Sequence, residues 1–347
     1  MLKKKEKYNV AIMGATGAVG SQFLSILDER NFPIDELRLL ASERSKDKVL
    51  TFKGKDHKVQ VLGEDSFAGI DIVLASAGAT RSKEFLPHAV KAGAVCVDNS
   101  SAFRMDKEVP LVVPEVNPHA AGTHKGIIAN PNCSTIQMVL PLLAIHKAAG
   151  LKRVVVSTYQ SVSGAGQDNI LEMESQVKGL SVKQSHHSVG SHTVAPREVE
   201  NFPYQIAYNL IPQIDVFLEN NYTKEEMKMV EETRKILEIP DLALTATCVR
   251  VPVYYAHSES VNVETQNKIS AKELIELLKK FPGVTVVDDP EKAEYPMPLN
   301  AEGQDDVFVG RIRDDESVDN GINMWVVADN LRKGAALNTV QIAELLI

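Results

Sequence analysis

Cys133 stands in the run Asn130-Pro131-Asn132-Cys133-Ser134-Thr135, where the apolar stretch from Gly126 to Ala129 breaks at a proline and a helical spacing begins at Ile136, Val139, Leu140 and Leu143. A cysteine there can serve as a nucleophile. The thiolate is its reactive form, and the unbonded N–H groups and positive dipole end of a helix start favour it over the thiol. The competing reading is a small buried apolar residue, which is what most free cysteines are. His257, with an ordinary pKa of ~6.5, can accept the thiol proton and later exchange protons with the oxygen of a tetrahedral adduct, although a histidine satisfied within the core is the default. Arg250 lies in an otherwise apolar strand pattern (Val249, Val251, Val253). An unpaired charge there is costly, so its partner is either an anionic ligand or a glutamate such as Glu198, Glu219 or Glu259.

A second group of residues points to a dinucleotide. The loop Gly14-Ala15-Thr16-Gly17-Ala18-Val19-Gly20 has a variant of the dinucleotide spacing at Gly14, Gly17 and Gly20. Such glycines let the backbone turn tightly and approach a pyrophosphate at a helix N-terminus. The loop follows a strand pattern (Tyr8 to Met13) and precedes a helical one (Val19 to Asp28), the context without which it would be an ordinary turn. Gly14, Thr16, Gly17, Ala18 and Val19 are the expected contacts. The second strand ends in Ala41-Ser42-Glu43-Arg44-Ser45. Arg44 with Ser42 and Ser45 can hold a ribose 2′-phosphate, which favours NADP; an inward Glu43 would make NAD possible, and a solvated loop would hold neither.

These groups need a scaffold. Strand patterns at Leu37 to Ala41, Asp71 to Ala75, Ala94 to Asp98 and Leu111 to Val113, with a helical pattern at Thr80 to Ala92, alternate as a mostly parallel, doubly wound sheet does. Beyond Cys133, long strand patterns (Lys152 to Val162, Leu242 to Val251, Glu259 to Thr265, Val307 to Ile312, Ile322 to Ala328) mix with helical stretches at Thr223 to Leu237 and Ala271 to Lys280. The expectation is an α/β Rossmann-type dinucleotide-binding domain (1–132 with 328–347) and an α+β domain with a mixed or antiparallel sheet (133–327). A terminal helix over Lys333 to Leu346 is expected to pack on the first domain, and Pro141 to kink the helix after Cys133.

Composition narrows the function. The 347 residues suggest about two domains. A net charge of −8 counts against nucleic acid as partner, whereas a few local arginines and lysines in a cleft can still hold a small anion. Three scattered cysteines argue for a reducing compartment rather than a disulfide framework, and no secretory signal or membrane-length apolar run is evident, so a cytoplasmic location is expected. His186, His187 and His192 lack the spacing of known zinc sites, and no metal is expected.

Together, the glycine loop, Asn99-Ser100-Ser101-Ala102-Phe103-Arg104, the Cys133 run, Gln160-Ser161-Val162-Ser163-Gly164-Ala165-Gly166 and Cys248-Val249-Arg250-Val251-Pro252 to His257 resemble the aspartate-β-semialdehyde dehydrogenase family over essentially the whole chain. The resemblance implies reductive dephosphorylation of aspartyl-β-phosphate by NADPH on the route to lysine, threonine and methionine, in a homodimer or tetramer whose α+β part is the catalytic and dimerisation domain. It implies Cys133 as nucleophile, His257 as acid/base and Gln160 as the group that orients the acyl intermediate. Arg104 and Lys228 would hold the phosphate, Arg250 the substrate carboxylate and Glu225 its amine, while Ser163 and Gly164 would reach the nicotinamide. By residue type alone, Arg104 and Lys228 are ordinary surface charges and Glu225 with Lys228 an exposed helical pair. The nearest rival is N-acetyl-γ-glutamyl-phosphate reductase. A thiol hydrolase would leave the glycine loop without purpose, and a silent NADP-binding sensor would be expected to lack the nucleophile or base.

Overall fold

The computed structural model of the chain describes residues 2–184 and 199–347. By packing, the chain divides into two compact units, one of Met1–Leu143, Glu231–Asp241 and Leu331–Ile347, the other of Ala144–Val230 and Leu242–Asn330. The division differs from the one expected at 132/133 and 327/328. The first turns of the helix that opens at Cys133 are counted with the first unit, as is the segment Glu231–Asp241.

The first unit is built on strands β1 (Tyr8–Met13), β2 (Ile34–Ala41), β5 (Gln60–Val61), β6 (Ile72–Ala75), β7 (Val95–Asp98) and β8 (Ile127–Ala129). All pair in parallel, in the order β5-β2-β1-β6-β7-β8. Alternate residues of β1 feed two cores. Val10 and Ile12 pack with Phe23 and Leu27 of helix α1 (Ala18–Glu29) and with Leu337 and Val340 of the last helix. Ala11 and Met13 pack with Leu86 and Ala89 of α2 (Ala79–Lys91). Burial on both faces is why the central strands read as unbroken apolar runs instead of alternating ones. A hairpin of β3 (Val49–Phe52) and β4 (Lys55–Lys58) was not expected, and Leu111 forms only an isolated bridge to Ala129 instead of a strand.

Helix α3 (Cys133–Ala149) continues through Pro141 as one element. The second unit carries a mixed sheet of β9 (Leu151–Gln160), β10 (Ala243–Arg250), β11 (His257–Thr265), β12 (Val284–Val286), β13 (Val307–Asp315) and β14 (Gly321–Ala328) in the order β10-β9-β11-β14-β13-β12. The two edge pairs are parallel and the inner ones antiparallel. Helix α4 (Gln167–Gln184) went unforeseen, since Gly179 and a weakly patterned sequence mask it. Helix α5 (Lys224–Leu237) and helix α6 (Ala271–Leu278) lie close to expectation. Ser270 and Glu273 open α6 with a reciprocal capping box. The short α7 (Pro298–Ala301) precedes β13.

The terminal segment is not one helix: a π-helical turn at Arg332–Ala336 precedes α8 (Leu337–Glu344). Lys333 in that turn is only 1% exposed, and its Nζ donates to Glu115, Asn338 and Gln341. Such widened turns re-aim a side chain that a regular helix would direct elsewhere.

Candidate active site

In the first unit the glycine turn is dictated by contact. Gly14 has φ +91°, and a Cβ built there would meet the Ser76 carbonyl oxygen at 2.5 Å. A Cβ on Gly20 would meet the Gly14 oxygen at 2.1 Å, so both glycines are required by space. Gly17 precedes the first residue of α1 with no side-chain cap, which leaves the helix N–H groups facing outward for an anion. Thr16 and Ser45 hydroxyls meet at 3.1 Å, which ties this turn to the segment after β2. Ser42 precedes a 3₁₀ turn at Glu43–Ser45, Arg44 is exposed, and Glu43 pairs outward with Lys46 at 3.3 Å. This shape fits a dinucleotide, with Gly14, Thr16, Gly17, Ala18 and Val19 at the turn and Ser42, Arg44 and Ser45 beside it.

Cys133 is half-buried at the head of α3, whereas Cys96 and Cys248 are buried and desolvation pushes both thiols far up. Asn132 caps the helix: its side-chain oxygen accepts the Ser134 N–H at 3.0 Å and its carbonyl accepts that of Ile136 at 2.9 Å. Arg104, 8% exposed, donates from Nη1 to Glu232 at 3.1 Å and from Nη2 to the Asn99 carbonyl at 2.9 Å. The loop that bears it is braced by buried Asp98, which accepts from Ser82 and from both the amide and hydroxyl of Ser100. Burial raises that carboxyl, with these hydrogen bonds pulling it back.

In the second unit, β9 and β11 pair with Tyr159 opposite Ser258, so the ends of the two strands lie side by side. His257 is fully buried, and its Nδ1 accepts the Ser161 backbone N–H at 3.0 Å. An amide can only donate. Nδ1 is therefore the acceptor, and the proton of the neutral ring sits on Nε2. Desolvation, helped by the nearby Arg250 charge, lowers the His257 pKa to about 3, although Glu225 opposes the shift. His257 is thus neutral, with Nε2–H as the donor it offers.

Arg250, at the end of β10, donates from Nη1 to the Ser161 carbonyl at 2.7 Å. The Gly164 backbone presses on both residues: a Cβ there would lie 3.1 Å from His257 Cε1 and Nε2 and 3.3 Å from Arg250 Nη1. Gln160 accepts from the Thr158 hydroxyl at 2.9 Å and donates to Glu225 at 3.1 Å. Glu225 and Asp215 each pair with Lys228 Nζ at 3.0 Å. Burial lowers the Lys228 pKa, but the two carboxylates outweigh it and the net shift is upward. Ser163 shares hydrogen bonds with Ser161 and Asn330.

Gln160, Ser163, Gly164, Glu225, Lys228, Arg250 and His257 thus form one linked cluster in the second unit. In the first, Arg104 is joined through Glu232 to the residue before Cys133. His186, His187, His192 and Glu198 lie outside the described residues.

Three residues escaped the sequence reading. Asn330 accepts the Ala256 N–H at 2.9 Å and so holds a residue at φ +66°, a left-handed conformation that costs a non-glycine residue roughly 1–2 kcal/mol. Its place right after β14 was the available signal. Asp215 had none. Glu232 lies seven residues after Glu225 on the same face of α5, a spacing that was legible.

A parallel sheet with a glycine turn, and a mixed sheet bearing a buried histidine and arginine, define a two-domain nicotinamide-dinucleotide oxidoreductase. Two domain families match in that order: the semialdehyde dehydrogenase NAD-binding domain over residues 9–124 and the semialdehyde dehydrogenase dimerisation domain over residues 142–333. The aspartate-semialdehyde dehydrogenase of Aquifex aeolicus (strain VF5) is 58% identical over 343 residues, 98% of each chain, and that of Bacillus subtilis (strain 168) 52% over 339 residues, 97% of each. The crystal structure of aspartate semialdehyde dehydrogenase II from Vibrio cholerae complexed with ASA superposes with a TM-score of 0.91 at 49% identity, covering 99% of this chain and 98% of that one. The chain belongs to the aspartate-semialdehyde dehydrogenase family.

Proposed function

We propose that this chain reduces aspartyl-β-phosphate to aspartate-β-semialdehyde with NADPH, releasing phosphate, through an acyl-thioester on Cys133, in the synthesis of lysine, threonine and methionine. The observation that carries this reading is Cys133 itself: of three cysteines it is the one that is not buried, and it heads a capped helix. The first unit supplies the nucleophile, with Arg104 for the phosphate. The thiolate attacks the acyl carbon, the C–O bond to phosphate breaks, and a thioester forms. The dinucleotide, when bound along the Gly14–Val19 turn, supplies a hydride to the thioester carbon.

The second unit supplies donors and substrate contacts. Nε2–H of His257 donates to the oxygen that becomes an alkoxide, which needs no charged imidazolium; collapse of the hemithioacetal returns the thiolate and frees the aldehyde. Donors preorganised at a developing oxyanion are among the largest catalytic contributions. Arg250 holds the substrate carboxylate, Glu225 the ammonium, Lys228 the phosphate, and Gln160 orients the acyl group from its bond to Glu225. Ser163 and Gly164 would help hold the nicotinamide end of the dinucleotide. The outward Glu43 and exposed Arg44 with Ser42 and Ser45 favour NADP over NAD. Pairing of second sheets would give a homodimer or tetramer, and a cytoplasmic enzyme fits a chain in which no described helix is long and apolar enough to cross a membrane.

The test is phosphate-dependent formation of reduced dinucleotide from aspartate semialdehyde. N-acetylglutamate semialdehyde should be a poor substrate, since its acetamide brings no positive charge to Glu225 and its extra methylene displaces the aldehyde carbon. Glu225→Gln should lose that preference along with rate. Comparable kcat/KM values for the two aldehydes in the wild type would refute the substrate assignment and leave the thioester chemistry standing.

A further inference from the structure

Glu232 is only 1% exposed, and each of its oxygens holds a different chemical element of the first unit. Oε1 accepts from Arg104 Nη1 at 3.1 Å, and Oε2 accepts from the backbone N–H of Asn132 at 2.6 Å. One carboxylate therefore fixes both a buried guanidinium and the amide that immediately precedes Cys133. Three residues further along α5, Lys235 Nζ donates to the carbonyls of Arg104, Asp106 and Val109 at 2.7, 2.7 and 2.8 Å, so the backbone of the Arg104 loop is gripped from the same helix. Arg104 Nε, also buried, has no hydrogen-bond partner among the described residues. A guanidinium presents its five N–H donors in a rigid plane, so fixing Nη1 and Nη2 also fixes where Nε–H points.

We propose that Glu232 is a positioning residue that couples Arg104 to the Asn132–Cys133 turn, so that the phosphate-binding edge and the nucleophile keep one fixed relation. This rests on the function proposed for Arg104 and Cys133. A carboxylate that only braces the fold can hold as many donors; what sets Glu232 apart is that its two oxygens reach the two groups the proposed reaction requires. The isosteric change Glu232→Gln separates the cases. A glutamine has one acceptor and one donor end, so it can serve Arg104 or the Asn132 amide but must turn an N–H₂ toward the other.

The experiment is steady-state kinetics in the phosphorylating direction, with aspartate semialdehyde, NADP⁺ and inorganic phosphate each varied, together with the rate of Cys133 alkylation by iodoacetamide, for wild type, Glu232→Gln and Glu232→Asp. In Glu232→Gln the KM for phosphate should rise, and kcat fall, by roughly 10-fold or more, the scale that a sub-ångström displacement of a positioned group carries. KM for the aldehyde and for NADP⁺ should stay within about twofold of wild type, and Cys133 alkylation should change rate. Glu232→Asp keeps two acceptors on a shorter arm and should fall between; if the glutamine variant does not fold, the same split in the aspartate variant decides. Wild-type kinetics per folded subunit, even with a lowered Tm, or an equal rise in all three KM values would overturn the positioning role. A wild-type enzyme with no phosphate-dependent turnover would instead remove the proposed function, and this inference with it.

Discussion

His257→Asn separates the two ways in which the buried histidine matters. The asparagine oxygen can occupy the place of Nδ1 and still accept the Ser161 N–H, while the Nε2–H donor is lost. The rate should fall by roughly 10²–10⁴-fold, as on loss of a general acid or base. Stability should change in a way that depends on pH. The native ring titrates at about 3 and an unfolded one at the ordinary 6.5, so between these values the unfolded chain binds more protons and stability rises with pH. The contribution is complete above ~6.5 and is lost as pH falls toward ~3. At ~1.4 kcal/mol per pH unit, moving from about pH 7.5 to about pH 5 should cost the wild type roughly 2 kcal/mol through this group alone.

Arg250 and Glu225 act on the ring electrostatically and are present in both proteins. Urea titrations of wild type and variant at the two pH values isolate the histidine, because ionisations common to both cancel in the difference. The wild-type advantage over His257→Asn should shrink by about 2 kcal/mol on acidification. Parallel stability curves would refute a buried neutral imidazole held by Ser161, and an unstable variant whose folded fraction turns over normally would refute its role as donor.

Two further perturbations act on named contacts. Gly164→Ala places a methyl 3.1 Å from an imidazole that Ser161 holds in place, so kcat should fall roughly 10-fold with the fold intact by circular dichroism; an unchanged kcat would show that the ring can give way. Arg44→Ala should weaken NADP far more than NAD, because only NADP carries a 2′-phosphate for a charge-assisted bond; equal losses by dinucleotide titration would make Arg44 a bystander, and wild-type preference for NAD would point to Glu43.

What the sequence made legible follows from local physics. The run Tyr8 to Met13, the glycine spacing and the start of α1 are readable because two-sided burial, tight turning and helix periodicity each leave a mark within a few residues. Cys133 was legible for the same reason, since proline, cap and helix are contiguous. The β3–β4 hairpin was hidden by its lysines, which serve the exposed face, and α4 by its weak patterning. The direction of the His257 proton could not be read at all. It is set by an amide 96 residues away that meets the ring only once β9 and β11 pair, and Glu232 likewise gains its meaning from Arg104, 128 residues away. For Arg250 the sequence leaves open an anionic ligand or a glutamate, and one of its donors goes to the backbone carbonyl of Ser161, a group with no side-chain signature.

The central claim is the acyl-thioester on Cys133, and a single-turnover measurement tests it. Enzyme mixed with aspartate semialdehyde and NADP⁺ in the absence of phosphate should release one equivalent of NADPH per active subunit and stop. Mass spectrometry of the quenched protein should then find an aspartyl group on the peptide containing Cys133, discharged when phosphate is added, and Cys133→Ala should show neither burst nor adduct while binding NADPH normally. Continuous NADPH formation without phosphate and without adduct, or a burst that survives in Cys133→Ala, would contradict the mechanism.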